Sequence, residues 1–127
     1  MIAISTQKAP KAIGAYSQGA MVGHTLYVSG QLPLDPETME MNSTNIKSLT
    51  HQALSNILAV VKAAGLEKND IVRCGIFITD MRQFSEIDGV YAKFFGDHKP
   101  ARAVVEVRGL PKGAPIEIDA IAHNNQT

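Results

Sequence analysis

The residues best suited to chemistry lie near the C-terminal end, where charged side chains interrupt runs of β-branched and small apolar residues. Arg102 alternates with Val104 and Glu106, and Glu117 stands between two isoleucines. Charged residues at alternate positions of a half-buried strand are usually solvated on its outer face. If association between copies of the chain covered that face, these charges would lie in clefts between subunits. Buried charges there must form ion pairs or serve in binding or catalysis. Arg102 and Glu117 are therefore candidates for a functional site.

Several familiar chemistries have little support in the sequence. The glycines are dispersed without a phosphate-loop pattern, and the serines form no nucleophile-elbow motif. Cys74 alternates with Val72 and Ile76 in an apolar run, which is typical of a buried, inert thiol. The histidines have no second ligand-type residue at metal-binding spacing, so we predict no metal site. They are His24, His51, His98 and His123.

Composition and charge bound the class of protein. The chain has 127 residues, with 12 Lys and Arg balanced by 12 Asp and Glu, and its pI is near 6.9. This balance disfavours nucleic acid as the main partner, because phosphate neutralisation dominates such affinity. No apolar run is long enough to span a membrane, and the first residues show no secretion signal. With its lone cysteine, we expect a cytoplasmic protein of one domain, residues 1–127.

Two helical patterns and several strand patterns must position the candidate residues. The apolar spacing between Asn42 and Gly65 predicts a long helix that starts near residues 42–44 and ends at that glycine. A second helix is predicted to end at Gly96. The predicted elements are a hairpin within 16–31, the long helix, a strand over 70–79, a helix over about 81–95, and strands over 101–108 and 116–123.

This order of elements predicts an α+β fold, in which one sheet carries both helices on one face. The other face would then be bare, and we assign to it the alternating apolar residues of the last two strands. A bare apolar face of that size is unfavourable in water. We therefore predict a homo-oligomer with closed symmetry. The residues assigned to the bare face are Ile116, Ile118, Ala120 and Ala122, together with Ala103, Val105 and Val107 or the positions that alternate with them.

Four segments in order resemble the Rid family, also called YjgF, the reactive intermediate deaminases. They read APKAIGAYSQG at 9–19, VSGQLP at 28–33, PARAVVEVRGLPK at 100–112 and IEIDAIA at 116–122. The resemblance covers nearly the whole chain, and four ordered motifs are far more specific than any one of them.

The resemblance implies a chorismate-mutase-like α+β fold assembled as a homotrimer. The sheets would form an inner barrel, the helices would lie outside, and three active sites would lie at subunit interfaces. Members of this subgroup hydrolyse small 2-imino acids and their 2-enamino tautomers, such as 2-iminopropanoate and 2-iminobutanoate, to 2-oxo acids and ammonia. They use no cofactor.

The resemblance also implies roles for particular residues. Arg102 matches the arginine that binds the substrate carboxylate, a task that suits the planar fork of a guanidinium. Glu117 matches the acid associated with the attacking water, and Tyr16 matches the pocket tyrosine. Ser29 and Gly30 match the loop that lines the same cleft.

Some positions depart from the family pattern. Val104 stands where the family places a cysteine, so a thiol mechanism is disfavoured and any role there falls to the backbone N–H. Asp88 stands where asparagine is common, and its added negative charge is expected to weaken binding of an anionic substrate or to change the preferred side chain. Ala15 replaces a proline, and residues 113–115 alter the loop before Glu117.

Two other function classes stay open from the sequence. The first is a regulatory protein that binds small carboxylates in the cleft and acts through a protein partner. The second is an RNA-directed protein, since names such as endoribonuclease and translation inhibitor are attached to relatives. Neutral charge and the lack of tryptophan give the second class weak support.

Overall fold

The computed structural model describes residues 1–125, which form one mixed sheet and two α-helices. The elements are β1 (Ile2–Ile4), β2 (Gly19–Val22), β3 (Thr25–Gln31), α1 (Ile46–Ala63), β4 (Ile71–Ile78), α2 (Phe84–Phe95), β5 (Ala101–Glu106) and β6 (Ile116–His123). The strand order across the sheet is β1-β2-β3-β6-β4-β5. Neighbouring strands are antiparallel except β4 and β5, which are parallel.

Both helices pack on the same face of this sheet, which confirms the α+β arrangement predicted from the sequence. Apolar residues of α1 and α2 share one buried cluster with residues of β3, β4 and β6. Ile57, Val60 and Ile87 from the helices are at most 1% exposed there. At roughly 25 cal/mol per Å² of buried apolar surface, this single layer supplies the main stabilisation of the fold.

The ends of α1 follow from its flanking residues. The Asn45 side chain accepts hydrogen bonds from the backbone N–H groups of Lys47, at 2.8 Å, and Ser48, at 3.3 Å. The helix therefore starts just after the predicted region. Gly65 follows its last turn with φ at 82°, a conformation that favours glycine. The predicted C-terminal end is confirmed.

The assignment of the bare sheet face was wrong for β6, whereas on β5 Val105 is 43% exposed and Val104 packs on the core side. Ile116, Ile118, Ala120 and Ala122 are buried against the helices, each at most 3% exposed. The opposite face of β6 carries Glu117, Asp119, Ile121 and His123, all half-buried. Alternation separates two faces of a strand without saying which one meets the helices. The more apolar set lies against them, because that side removes more apolar surface from water.

A register shift in β4 changes a second expectation. Pairing of β4 with β6 is irregular between Ile71 and Arg73. Because of this bulge, Ile71 rather than Val72 joins Cys74 in the core, and Val72 is 41% exposed. Simple alternation along the strand places Val72, and not Ile71, on the same face as Cys74.

The two edges of the sheet are short strands. The sequence pattern did not predict β1, which has three residues and pairs only with β2 in the described chain. The strand predicted over 101–108 ends at Glu106. Within residues 1–125, β5 pairs only with β4, so its outer edge is open. Neither α-helix there combines the length and apolar character that crossing a membrane requires.

Candidate functional site

One cavity, of about 560 Å³, lies where β3 ends and β6 begins. Four of the predicted site residues line it: Tyr16, Ser29, Gly30 and Glu117. They come from the loop before β2, from β3 and from β6, so the sheet is what brings them together. Two lysines, one glutamine and an apolar wall complete the lining: Lys11, Lys112, Gln31, Pro10, Ile13, Leu32, Leu34, Met39 and Pro111.

Gly30 lies directly beneath the carboxyl group of Glu117. A Cβ atom at position 30 would lie 2.9 Å from both Cδ and Oε2 of Glu117. Real Cβ contacts are essentially never so short, so any other residue would displace the carboxyl group or the strand. The pairing of β3 with β6 is also irregular between Val28 and Gln31, which places Gly30 within the irregular stretch. Local backbone geometry therefore sets the position of the Glu117 carboxyl group.

The electrostatic environment of Glu117 favours proton transfer. Partial burial raises the pKa of its carboxyl group above the usual 4.5, and the negative charge of Asp119 raises it further. Asp119 lies two residues along β6 and accepts a hydrogen bond from the Gly75 N–H at 3.0 Å. A carboxyl group with a raised pKa exchanges protons more readily near neutral pH, which suits a general acid or base.

Ser29 joins strand β3 to the loop that carries Tyr16. Its Oγ donates a hydrogen bond to the Ser17 carbonyl at 2.6 Å, and its N–H donates to the Gln18 carbonyl at 2.9 Å. The Ser29 hydroxyl proton is therefore already engaged. Tyr16 is 52% exposed and also lines a second cavity, of about 770 Å³, formed with the N-terminal segment. Glu117 lines the first cavity and not the second.

Gln18, to which the sequence analysis gave no role, holds one wall of the site. It is 4% exposed. Its Nε2 donates to the carbonyls of Thr6, Ala9 and Pro10 at 3.1, 3.2 and 2.7 Å, and its Oε1 accepts from the Thr6 N–H at 2.7 Å. One buried amide thus fixes the segment that leads to Tyr16. The sequence signal that could have indicated this role is a polar residue, Gln18, next to a predicted strand.

Asn56 holds another wall in the same way. It lies in the middle of α1 and is 1% exposed. Its Nδ2 donates to the carbonyls of Leu32 and Leu34 at 3.0 and 2.9 Å, while Oδ1 accepts from Gln52 at 2.9 Å. The helix therefore supports the loop after β3, whose side chains form the apolar wall. An asparagine on the apolar stripe of α1 was the missed signal.

Lys112 closes the remaining side of the cavity. Its backbone has φ at 60°, which is unusual for a residue other than glycine. Its Nζ donates to the Met39 carbonyl at 2.8 Å, and Met39 also has φ at 60°. Two loops in uncommon conformations are thus joined by one hydrogen bond. Such strain is often concentrated at functional sites.

Arg102 lies away from this cavity. It is the second residue of strand β5 and lies beside Cys74 of β4, on the side of the sheet that faces the helices. Its Nη1 donates to Oδ1 of Asp88 on α2 at 2.6 Å. Val104, two residues along, packs against the core on the same side. The structure of one chain therefore brings Arg102 and Val104 together and keeps both apart from Glu117.

Cys74, on the neighbouring strand β4, is paired with Arg102 and is fully buried. Burial raises the pKa of its thiol to about 11, so the thiolate is scarce at neutral pH. The prediction of a buried, inert thiol is confirmed. Over residues 1–125, no three His, Cys, Asp or Glu side chains lie close enough to hold a metal ion.

The fold and site define a small α+β protein with a carboxyl-bearing cavity at the ends of two central strands, β3 and β6, and an arginine on the edge strand β5. Residues 6–124 match the family described as Endoribonuclease L-PSP. The chain belongs to this family, which includes the YjgF, RutC and Rid proteins. The resemblance found in the sequence is confirmed.

Similar proteins come from all domains of life. A RutC family protein, PH0854, of Pyrococcus horikoshii is 47% identical over 94% of this chain and 95% of its own length. A 2-iminobutanoate/2-iminopropanoate deaminase of Bos taurus is 43% identical over 94% of this chain and 87% of its own length. Among solved structures, E. coli TdcF with bound serine has a TM-score of 0.94 at 41% identity, covering 98% of this chain and 100% of that one.

Proposed function

We propose that this protein hydrolyses 2-imino acids and their 2-enamino tautomers to 2-oxo acids and ammonia without a cofactor. The observation that carries the proposal is the half-buried Glu117 carboxyl group held over Gly30 in the cavity. The named deaminases of Bos taurus and Capra hircus, each 43% identical, support the same reaction. With its lone buried cysteine, the protein is proposed to act in the cytoplasm.

Hydrolysis of a protonated imine needs a water molecule over the electrophilic carbon and a group that moves protons. In the proposed mechanism Glu117 accepts a proton from the water as its oxygen bonds to the C=N carbon. Glu117 then returns that proton to the nitrogen of the carbinolamine. As the C–N bond breaks and ammonia leaves, the hydroxyl proton passes back to Glu117 and the C=O bond forms. The raised pKa of Glu117 suits these proton transfers.

Arg102 is proposed to bind the substrate carboxylate from a second copy of the chain. The cavity in one chain contains Glu117 and lacks Arg102, whereas the open edge of β5 presents Arg102 for association. A homotrimer with three interfacial sites, as the family resemblance implies, would complete each cavity in this way. TdcF, solved with bound serine, is consistent with a small carboxylate in such a site.

The remaining residues are proposed to shape the site. Tyr16 and the Ser29–Gly30 segment line the cleft around the substrate, and the backbone N–H of Val104 lies beside Arg102. The wall formed by Leu32 and Leu34 is apolar. It suits the short alkyl side chains of 2-iminopropanoate and 2-iminobutanoate.

The test couples a pyridoxal-phosphate dehydratase acting on serine or threonine to this protein and follows loss of the imine. Wild type is expected to accelerate the loss, and Arg102→Ala to abolish the acceleration. Arg82→Ala is the matched control, because Arg82 also pairs with an aspartate, Asp80, but its side chain is 91% exposed. If wild type fails with several imino acids, the cleft is a binding site and the regulatory role is favoured. If Arg102→Ala retains near wild-type rates, the carboxylate assignment is wrong.

RNA cleavage is a second candidate, favoured by the family description Endoribonuclease L-PSP. Lys11 and Lys112 in the cavity are cations that phosphate groups could contact. The test incubates RNA with protein purified free of nuclease, beside a Glu117→Gln variant purified identically. Cleavage that persists in wild type and is lost in the variant would support this function. Equal cleavage by both would indicate contamination.

A further inference from the structure

An ion pair joins Arg102, the proposed carboxylate-binding group, to Asp88 of helix α2. Nη1 of Arg102 and Oδ1 of Asp88 are 2.6 Å apart. The two side chains are 28% and 43% exposed, so water screens the pair only in part. Of the three ion pairs within residues 1–125, this one has the least exposed arginine.

Two aromatic rings of α2 also contact this guanidinium. Its central carbon lies 4.9 Å from the ring centroid of Tyr91 and 5.7 Å from that of Phe84. Cations at such distances are attracted to the ring face. Phe84, Asp88 and Tyr91 are spaced by four and three residues, so one face of α2 presents all three to Arg102. The arginine is thus oriented before any ligand arrives.

This arrangement has two opposite effects on an anionic ligand. A guanidinium has five N–H donors, and within residues 1–125 its contact with Asp88 involves Nη1, which leaves Nε and Nη2 for a carboxylate. The fixed orientation favours binding, because less side-chain freedom is lost. The neighbouring negative charge opposes binding, because it repels the incoming carboxylate.

We propose that Asp88 is a positioning residue that orients Arg102 and weakens its hold on carboxylates, so that the 2-oxo acid product leaves readily. The proposal rests on the proposed function, in which Arg102 binds the carboxylate. Substrate and product both carry that carboxylate, so Asp88 limits product inhibition as well as substrate affinity. Asp88 touches the arginine and not the reacting atoms.

Two variants separate orientation from charge. Asp88→Asn keeps an oxygen that accepts a hydrogen bond from Arg102 but removes the charge, whereas Asp88→Ala removes both. We measure the dissociation constant of 2-oxobutanoate by calorimetry, and kcat and KM in the coupled assay. Asp88→Asn is expected to bind 2-oxobutanoate about three- to tenfold more tightly than wild type and to lower KM, with kcat near wild type. Asp88→Ala is expected to lower kcat, because it removes the acceptor that orients Arg102. Asp88→Asn keeps that acceptor, so its kcat should exceed that of Asp88→Ala.

Glu86→Gln is the matched control, because Glu86 is an exposed carboxylate on the same helix and makes no ion pair in the described chain. It should leave binding and both kinetic constants unchanged. The proposal is overturned if Asp88→Asn binds 2-oxobutanoate within twofold of wild type or more weakly, or if wild type does not bind it. If binding shifts as expected while wild type shows no imine turnover, the proposed function fails and the effect of Asp88 on Arg102 stands.

Discussion

The carboxyl group of Glu117 occupies the space that a side chain at position 30 would need, with Oε2 only 2.9 Å from where a Cβ atom would lie. A second carboxylate on the same strand face repeats the relationship. Asp119 lies over Gly75 of the opposite neighbour strand, and a Cβ there would clash with its Oδ1. Strand β6 thus places two carboxylates on one face, each opposite a glycine. The glycines let both carboxylates lie flat on the sheet.

Gly30→Ala is expected to displace the Glu117 carboxyl group and lower kcat for imine hydrolysis about tenfold or more, since small misplacements of reacting groups are costly. The same crowding should lower the free energy of unfolding by about 1–3 kcal/mol. Coupled kinetics and urea unfolding measure the two effects.

Gly89→Ala serves as the control for this substitution. Gly89 lies within α2, and a Cβ atom there would meet nothing within 4 Å. It should raise the free energy of unfolding by about 0.5–1 kcal/mol and leave kcat unchanged. Wild-type kcat in Gly30→Ala would contradict the role given to the Gly30–Glu117 contact.

Glu117→Gln is expected to abolish most turnover yet stabilise the fold at neutral pH. The pKa of Glu117 is higher in the folded than in the unfolded chain. Between these two pKa values the folded state binds more protons, so the free energy of unfolding falls as the pH rises through this interval. Above it the ionised carboxylate destabilises wild type, and glutamine removes that cost. The melting temperature of the variant should exceed that of wild type at pH 7, and the gap should close below the usual pKa of 4.5. A gap that persists at pH 3 would contradict this explanation.

Local patterns were enough to predict most elements. The spacing of apolar residues and Gly65 predicted α1, because capping and periodicity are properties of neighbouring residues. The N-cap was predicted within 42–44, and Asn45 holds that position. Strand β1 lacked such a signal, since three residues carry too little alternation. The inward face of β6 was assigned wrongly because it depends on what packs against the strand. The bulge at Val72 likewise depends on pairing with β6.

The site could be predicted only in part for the same reason. The motif residues Tyr16, Ser29, Gly30 and Glu117 were found through the family resemblance, and they line one cavity. The pair of Asp88 with Arg102 links a helix to an edge strand, a contact that no sequence spacing specifies. The buried amides escaped notice because polar residues on a core face look like exceptions until their partners are known.

Asn56→Ala is expected to lower the free energy of unfolding by about 3 kcal/mol. The substitution leaves the carbonyls of Leu32 and Leu34 without their donor in a buried setting, and each such loss costs roughly 1–3 kcal/mol. Because that loop walls the cavity, KM should rise as well. Ser55→Ala, at an adjacent α1 position with a long contact to His51, should change stability by less than about 0.5 kcal/mol. Urea unfolding of both variants measures this difference, and equal stabilities would refute it.

Tyr91→Phe is expected to leave stability unchanged or to raise it by up to about 1 kcal/mol. The Tyr91 hydroxyl is buried, and within residues 1–125 it makes no contact with good hydrogen-bond geometry. Burial raises the pKa of the phenol, and the Cys74 thiol is its neighbour. Because a thiol is a weak hydrogen-bond partner, removing the hydroxyl removes more desolvation cost than interaction, while the ring that contacts Arg102 is kept. Tyr27→Phe, at a side chain that is 50% exposed, should change stability by less than about 0.5 kcal/mol. Thermal unfolding compares the variants with wild type. Destabilisation of Tyr91→Phe by more than about 1 kcal/mol would mean that the hydroxyl has a partner in solution.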